Sequence, residues 1–214
     1  EIQIVDHPFI CEIMLKFFLS LLMSFLAYIP ASAIDSTIIG KIITPFSAPM
    51  ARGEYFTFDQ FPDAKAIVIV FTCNHCPFAE LYIQRMNDFY REYAPMGIPL
   101  IAINPMDSIL YEDETLEEMK KKVIRDIIVY PYLQDHSQSI ARTFNAAFTP
   151  QVFVIQRKAN EWKIVYQGII DDNGKYPEKA IPHLEITAKA ILSNQNIPEE
   201  VIGSFGCKIT YRSP

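Results

Sequence analysis

Cys73 and Cys76 stand two residues apart in the stretch Thr72-Cys73-Asn74-His75-Cys76-Pro77, directly after the apolar run Ala66–Phe71. That spacing suits three chemistries: dithiol–disulfide exchange, half of a tetrahedral metal site, or a structural staple. A staple across two residues closes so small a loop that it gains little chain entropy. A zinc site needs a second ligand pair, and the sequence has no second Cys-x-x-Cys or His-x-x-His. His136 and Cys207 are the residues left to complete a zinc or copper site with the pair. Exchange chemistry needs an activated thiolate. The run Ala66–Phe71 reads as a buried strand and Pro77 opens a helical pattern, so the pair falls where a strand hands over to a helix. Unpaired N–H groups and the partial positive charge of a helix N-terminus lower a cysteine from about 8.5 to roughly 3.5–7.5. This geometry predicts an exposed, nucleophilic Cys73 and a resolving Cys76 one turn inside the helix. His75 between them is expected to give the Cys73 thiolate a hydrogen bond or positive charge, which favours the reduced form and makes the disulfide a stronger oxidant. The plainer alternative is a solvated loop residue.

Three further positions carry chemistry. Thr149-Pro150 precedes the strand-like Gln151–Ile155, where a residue without N–H is expected; its functional reading is a cis Thr149–Pro150 bond facing the cysteines. Asp171-Asp172 offers a general base for Cys76, although Asp171-Asp172-Asn173-Gly174 also has the composition of a simple turn. Cys207, near the C-terminus, reads either as a third redox thiol reaching back to the pair or as a buried small residue.

The elements that must position these groups follow from periodicity. Ala66–Phe71, Ile98–Ile103 and Gln151–Ile155 read as buried strands, with Trp162–Gln167 returning as a hairpin across the charged turn Arg157–Glu161. Pro77–Tyr93 has one apolar helical face and Gly97 closes it. Glu114–Ile127 reads as a helix that is acidic at its start and basic at its end, Ser137–Asn145 as a shorter one capped by Ser137, and Lys179–Leu192 as the last. Residues 37–58 read as short extended pieces. The order β-α-β-α-(α)-β-β-α predicts an α/β fold with a mixed central sheet and helices on both faces.

The N-terminal third of the first hundred residues reads differently. Lys16 is followed by the apolar run Phe17–Tyr28, then Ile29-Pro30 and Ala31-Ser32-Ala33, the pattern of a secretory signal cleaved after Ala33. The run is short for a span of about 20 residues; an uncleaved anchor is the alternative. The pattern places the translation start at Met14, with residues 1–13, including Cys11, upstream. The expected organisation is 1–33 as upstream segment and signal, 34–195 as the redox domain, and 196–214 as a tail with Cys207. Export to a bacterial periplasm or cell envelope suits redox-active cysteines. A net charge of −6 argues against nucleic acid or an anionic membrane as partner, unless the signal stays as an anchor.

Phe71-Thr72-Cys73-Asn74-His75-Cys76-Pro77, Phe148-Thr149-Pro150-Gln151-Val152-Phe153-Val154-Ile155 and the element order together resemble the thioredoxin fold. More narrowly, Cys73–Pro77, Gly168-Ile169-Ile170-Asp171-Asp172-Asn173 and Gly206-Cys207-Lys208-Ile209 resemble the peroxiredoxin-like redoxins (AhpC/TSA-related). The resemblance implies a cis Pro150 packed against the disulfide, a Thr149 backbone able to pair with a bound peptide, and thiol–disulfide chemistry at Cys73 and Cys76 without a cofactor. Two departures matter. Ala66–Phe71 lacks the buried acid that thioredoxins carry before the motif, and no proline stands at the offset a peroxidatic cysteine requires. A thiol–disulfide oxidoreductase acting on protein or small-molecule thiols and disulfides with a separate redox partner is therefore the leading expectation. A thiol peroxidase and a copper- or zinc-binding protein are the alternatives.

Overall fold

The computed structural model describes residues 38–213. The signal segment, its cleavage position and Cys11 lie outside the described residues. The strands are β1 (Ile42–Ile43), β2 (Ala48–Pro49), β3 (Tyr55–Phe56), β4 (Ala66–Phe71), β5 (Leu100–Asn104), β6 (Tyr132–Gln134), β7 (Phe148–Thr149), β8 (Gln151–Lys158), β9 (Glu161–Gly168) and β10 (Cys207–Lys208). The helices are α1 (Pro77–Glu80), α2 (Ile83–Tyr93), α3 (Leu116–Arg125), α4 (Ser139–Thr143) and α5 (His183–Leu192). Six strands form one sheet in the order β1-β9-β8-β4-β5-β6. β4, β5 and β6 run parallel, and β8, β9 and β1 pair antiparallel beyond β4. This is the mixed sheet of the thioredoxin fold.

β4 is apolar throughout because both its faces are covered. Ile67, Ile69 and Phe71 point into one core with Phe144, Phe153 and the two cysteines Cys73 and Cys76. Ala66, Val68 and Val70 point into the other, against Met86 and Phe89 of α2, Met119 and Val123 of α3, and Leu184 and Ile191 of α5. Every residue of β4 is buried, so the strand's end, and the Cys-x-x-Cys loop that leaves it, is fixed from both sides.

The expected boundaries shift in instructive places. The single helix expected over Pro77–Tyr93 is two: α1 ends at Glu80 with Leu81 as its cap, and a tightened turn at Tyr82, whose N–H reaches back to Ala79 O, precedes α2. That turn brings Tyr82 inward, where its hydroxyl donates to Asp171. The helix expected from Glu114 starts at Leu116, with Thr115 as its cap, accepting from Glu118 N. α4 is shorter than expected; Gln138 at φ +60 precedes it, and Asp135 and Ser137 accept the N–H groups of Ala141 and Ser139. α5 begins only after Pro182, since the residue before a proline is disfavoured in a helix. The β8–β9 hairpin turns on Ala159-Asn160, both with positive φ, as a two-residue turn of this twist requires. β6 is too short to show a period. Residues 207–212, part of the expected tail, fold back: Cys207 pairs with Thr149 and Lys208 with Phe148. Ile209 is buried with its N–H on Ala147 O, and Gln138 bonds Thr210 O and the Arg212 N–H. Among the described residues no helix is long and apolar enough to cross a membrane.

Candidate active site

The loop Thr72–Cys76 leaves β4 and delivers Cys76 as the residue capping α1, with Pro77 in the first turn, where its missing N–H leaves no bond unmade. The cis bond Thr149–Pro150 lies opposite. Thr149 gathers the sulfurs. Its Oγ1 is 3.2 Å from Cys73 Sγ, its carbonyl accepts from the Cys76 thiol at 3.1 Å, and its hydroxyl donates to Cys207 O at 3.4 Å. Cys207 thus lies in register with Thr149, beside the pair. All three thiols are free.

Two expectations for the pair are corrected. Cys73 is not exposed: it is 1 % accessible and Cys76 is 0 %. Nor is Cys76 a turn inside a helix. The ionisation order is also the reverse of that expected. Cys73 is pushed well up, first by the hydrogen bond it gives Cys76, then by burial and by the negative charge of Glu114. Cys76 is lowered to about 4, first by that bond from Cys73; burial opposes this, while Cys207 and the Ala79 N–H of α1 assist. The Thr149 carbonyl also works against a Cys76 thiolate, since it accepts from the thiol and offers the anion nothing. The two thiols act on each other first, and beyond that the Glu114 charge holds Cys73 protonated while the Ala79 N–H favours the Cys76 anion. Cys207 is raised to about 11 by burial and by its bond to Cys76.

The residue that organises the loop is one the sequence reading placed on a helix. Glu114 is fully buried, and its oxygens accept from Asn74 N (2.9 Å), His75 N (3.1 Å), Asn104 Nδ2 (2.6 Å) and the His75 ring at Nδ1. A buried carboxylate is tolerable only when its lone pairs are filled in this way. Asn74 extends the network to Asp113 O and the Tyr132 hydroxyl. His75 therefore bonds Glu114 rather than a sulfur, and its ring packs on Tyr111 at 5.3 Å between centroids. The acid missing from β4 is supplied from 40 residues further along the chain. The signal for it was Thr115-Leu116-Glu117-Glu118, a capping pattern that starts the helix after Glu114 and leaves its side chain free to turn inward.

Asp171 and Asp172 belong to the turn. Asp171 pairs with Arg85 and accepts from the Tyr82 hydroxyl and Asn173 N, while Asp172 accepts from Ile181 N. Arg85 also donates to Asn173 O and Gly174 O, clasping the turn to α2. The Ser108 hydroxyl is 3.1 Å from His136 Nδ1. Cys73, His75 and Glu114 bring one ligand atom each to within 4.8 Å of one another.

Fold and site together define a thioredoxin-fold thiol protein. The chain belongs to the AhpC/TSA family, whose pattern it matches over residues 39–164, and that family's chemistry is thiol redox chemistry. Its fold is similar to that of a hypothetical protein from Sinorhizobium meliloti, with 31 % identity and a TM-score of 0.75 over 84 % of this chain and 98 % of that one. It is similar to an uncharacterised conserved protein from Geobacillus kaustophilus, with 29 % identity and a TM-score of 0.74 over 84 % and 95 %. A peroxidoxin from Mycobacterium tuberculosis shares the fold at 15 % identity and a TM-score of 0.54 over 74 % and 97 %. No curated protein matches the chain.

Proposed function

We propose that this chain is an exported thiol–disulfide oxidoreductase in which Cys73 and Cys76 cycle between a dithiol and a disulfide. One observation carries the reading: both sulfurs sit on the same residue, Thr149, at 3.2 and 3.1 Å. Two thiols so placed exchange with a substrate disulfide through a mixed disulfide, and the second sulfur closes the internal bond as the substrate leaves as two thiols. Cys73→Ser and Cys76→Ser should each abolish turnover of oxidised glutathione or insulin. Full activity in either variant removes the pair from the mechanism. Export is tested separately by sequencing the N-terminus of the protein recovered from the periplasm.

Two other readings have weaker support. A peroxidatic thiolate needs a cation beside it, whereas the charged group acting on Cys73 is Glu114, which opposes ionisation. Stopped-flow oxidation by hydrogen peroxide should therefore run at the rate of free cysteine. A metal-carrier reading draws on Cys73, His75 and Glu114. The Glu114 oxygens already hold four N–H groups, so the reduced protein should emerge from dialysis without stoichiometric zinc or copper.

A further inference from the structure

The exchange reading leaves an access problem. Cys73 is 1 % exposed and Cys76 0 %, and an external disulfide must reach a sulfur in line with the bond it breaks. Cys207 is the cysteine of the three that meets solvent, being partly exposed. It is held on Thr149 by strand pairing and by the Thr149 hydroxyl on its carbonyl, the same residue whose carbonyl accepts from the Cys76 thiol. Its position is built. Gly206 has φ +145, and its Cα approaches the Thr149 carbonyl so closely that an added Cβ would lie 2.2 Å from that oxygen. Ile209 and Gln138 anchor the segment just beyond. Phe205 packs edge-on against Phe78 beside the pair.

We propose that Cys207 is the outer thiol of a three-cysteine relay, the sulfur that meets external disulfides and passes the bond inward to Cys76 and then Cys73. The proposal rests on the exchange reading above. The steps balance. Cys207 gives up its proton as it attacks R–S–S–R′, forming Cys207–S–S–R and releasing R′–S⁻, which takes that proton up. The Cys76 thiolate attacks the Cys207 sulfur, forming Cys76–S–S–Cys207 and releasing R–S⁻. The Cys73 thiolate then attacks the Cys76 sulfur, forming Cys73–S–S–Cys76 and returning Cys207 as a thiolate. The proton that Cys73 gives up ends on one of the two remaining thiolates, R–S⁻ or Cys207, the other takes its proton from water, and two electrons pass from the protein to the substrate.

The test uses the full chain with oxidised glutathione as the probe. Brief alkylation of the reduced protein with iodoacetamide, read by peptide mass spectrometry, should label Cys207 at least tenfold faster than Cys73. Cys73→Ser treated with oxidised glutathione should accumulate the Cys76–Cys207 disulfide. Cys207→Ser and Cys207→Ala should both react with oxidised glutathione at least tenfold more slowly than wild type, while diamide still oxidises their Cys73–Cys76 pair, which shows that they are folded. The relay is overturned if Cys73 is labelled first, or if Cys73→Ser forms no Cys76–Cys207 bond, or if both Cys207 variants keep the wild-type rate. If wild type fails to exchange with any disulfide, the exchange reading and the relay both fall; if wild type exchanges and both Cys207 variants match its rate, the relay alone falls.

Discussion

At the scale of single residues, Glu114 decides how the loop is held. Its carboxylate, itself fully buried, fills two backbone N–H groups of the Cys-x-x-Cys loop, one amide of β5 and the ring of His75. Removing it strands those donors. Glu114→Ala should lose about 3 kcal/mol in urea unfolding, since each buried unpaired polar group costs about 1–3 kcal/mol. Glu114→Gln keeps the volume and removes the charge that raises Cys73, so the pH midpoint for alkylation of Cys73 should move down; an unmoved midpoint would show that the charge does not reach the sulfur. The cysteines, His75, Thr149 and Pro150 were all legible as residue types at their positions. Their roles were less so. Cys73 is only 1 % exposed because the whole fold closes over it, and the hydrogen bond that sends His75 to Glu114 instead of to a sulfur depends on a residue 39 positions away, which no local pattern reports.

At the scale of elements, the strands that bury both faces were legible because an apolar run such as Ala66–Phe71 has no second interpretation once a helical pattern follows it. The break between α1 and α2 was not, since Leu81 and Tyr82 keep the apolar period and the cause lies at Asp171. β10 was illegible for a related reason: two residues carry no period, and their pairing with β7 is decided by a glycine that lets two backbones touch. This makes Gly206 the position to test. Gly206→Ala meets the Thr149 carbonyl and adopts a backbone conformation that side chains avoid, at a cost of about 1–3 kcal/mol. The β10 segment should release from β7 while the sheet persists. Hydrogen exchange should then show rapid loss of protection at the Ile209 amide, with β4 and β8 unchanged; protection retained at Ile209 would mean that the strand pair absorbs the methyl group.

At the scale of the whole molecule, the two sulfurs couple stability to redox state. Cys76 is depressed in the folded protein from 9.0 to about 4. Between those values the unfolded chain holds a proton that the native chain has shed, so the stability of the reduced protein rises with pH across that window. The gain is complete above about 9 and is lost as pH falls through about 4. Cys73 acts in the opposite sense: raised in the native state, it keeps its proton where the unfolded chain has ionised, so stability declines above about 9. The disulfide form has neither group to titrate, so the stability of the reduced form relative to the oxidised should rise from pH 4 to 9. A folded state that prefers the thiolate is a stronger oxidant, so the pair should sit above the potential of about −270 mV that marks thioredoxin. The slope is more telling than the value. If one thiol of the pair is already ionised, two electrons arrive with one proton, and the potential should fall by about 30 mV per pH unit between pH 5 and 8. Two protonated thiols would give about 59 mV per unit. Titration against glutathione buffers at several pH values distinguishes these slopes, and the steeper one throughout would mean that Cys76 is held as a thiol by the Thr149 carbonyl and not as the anion.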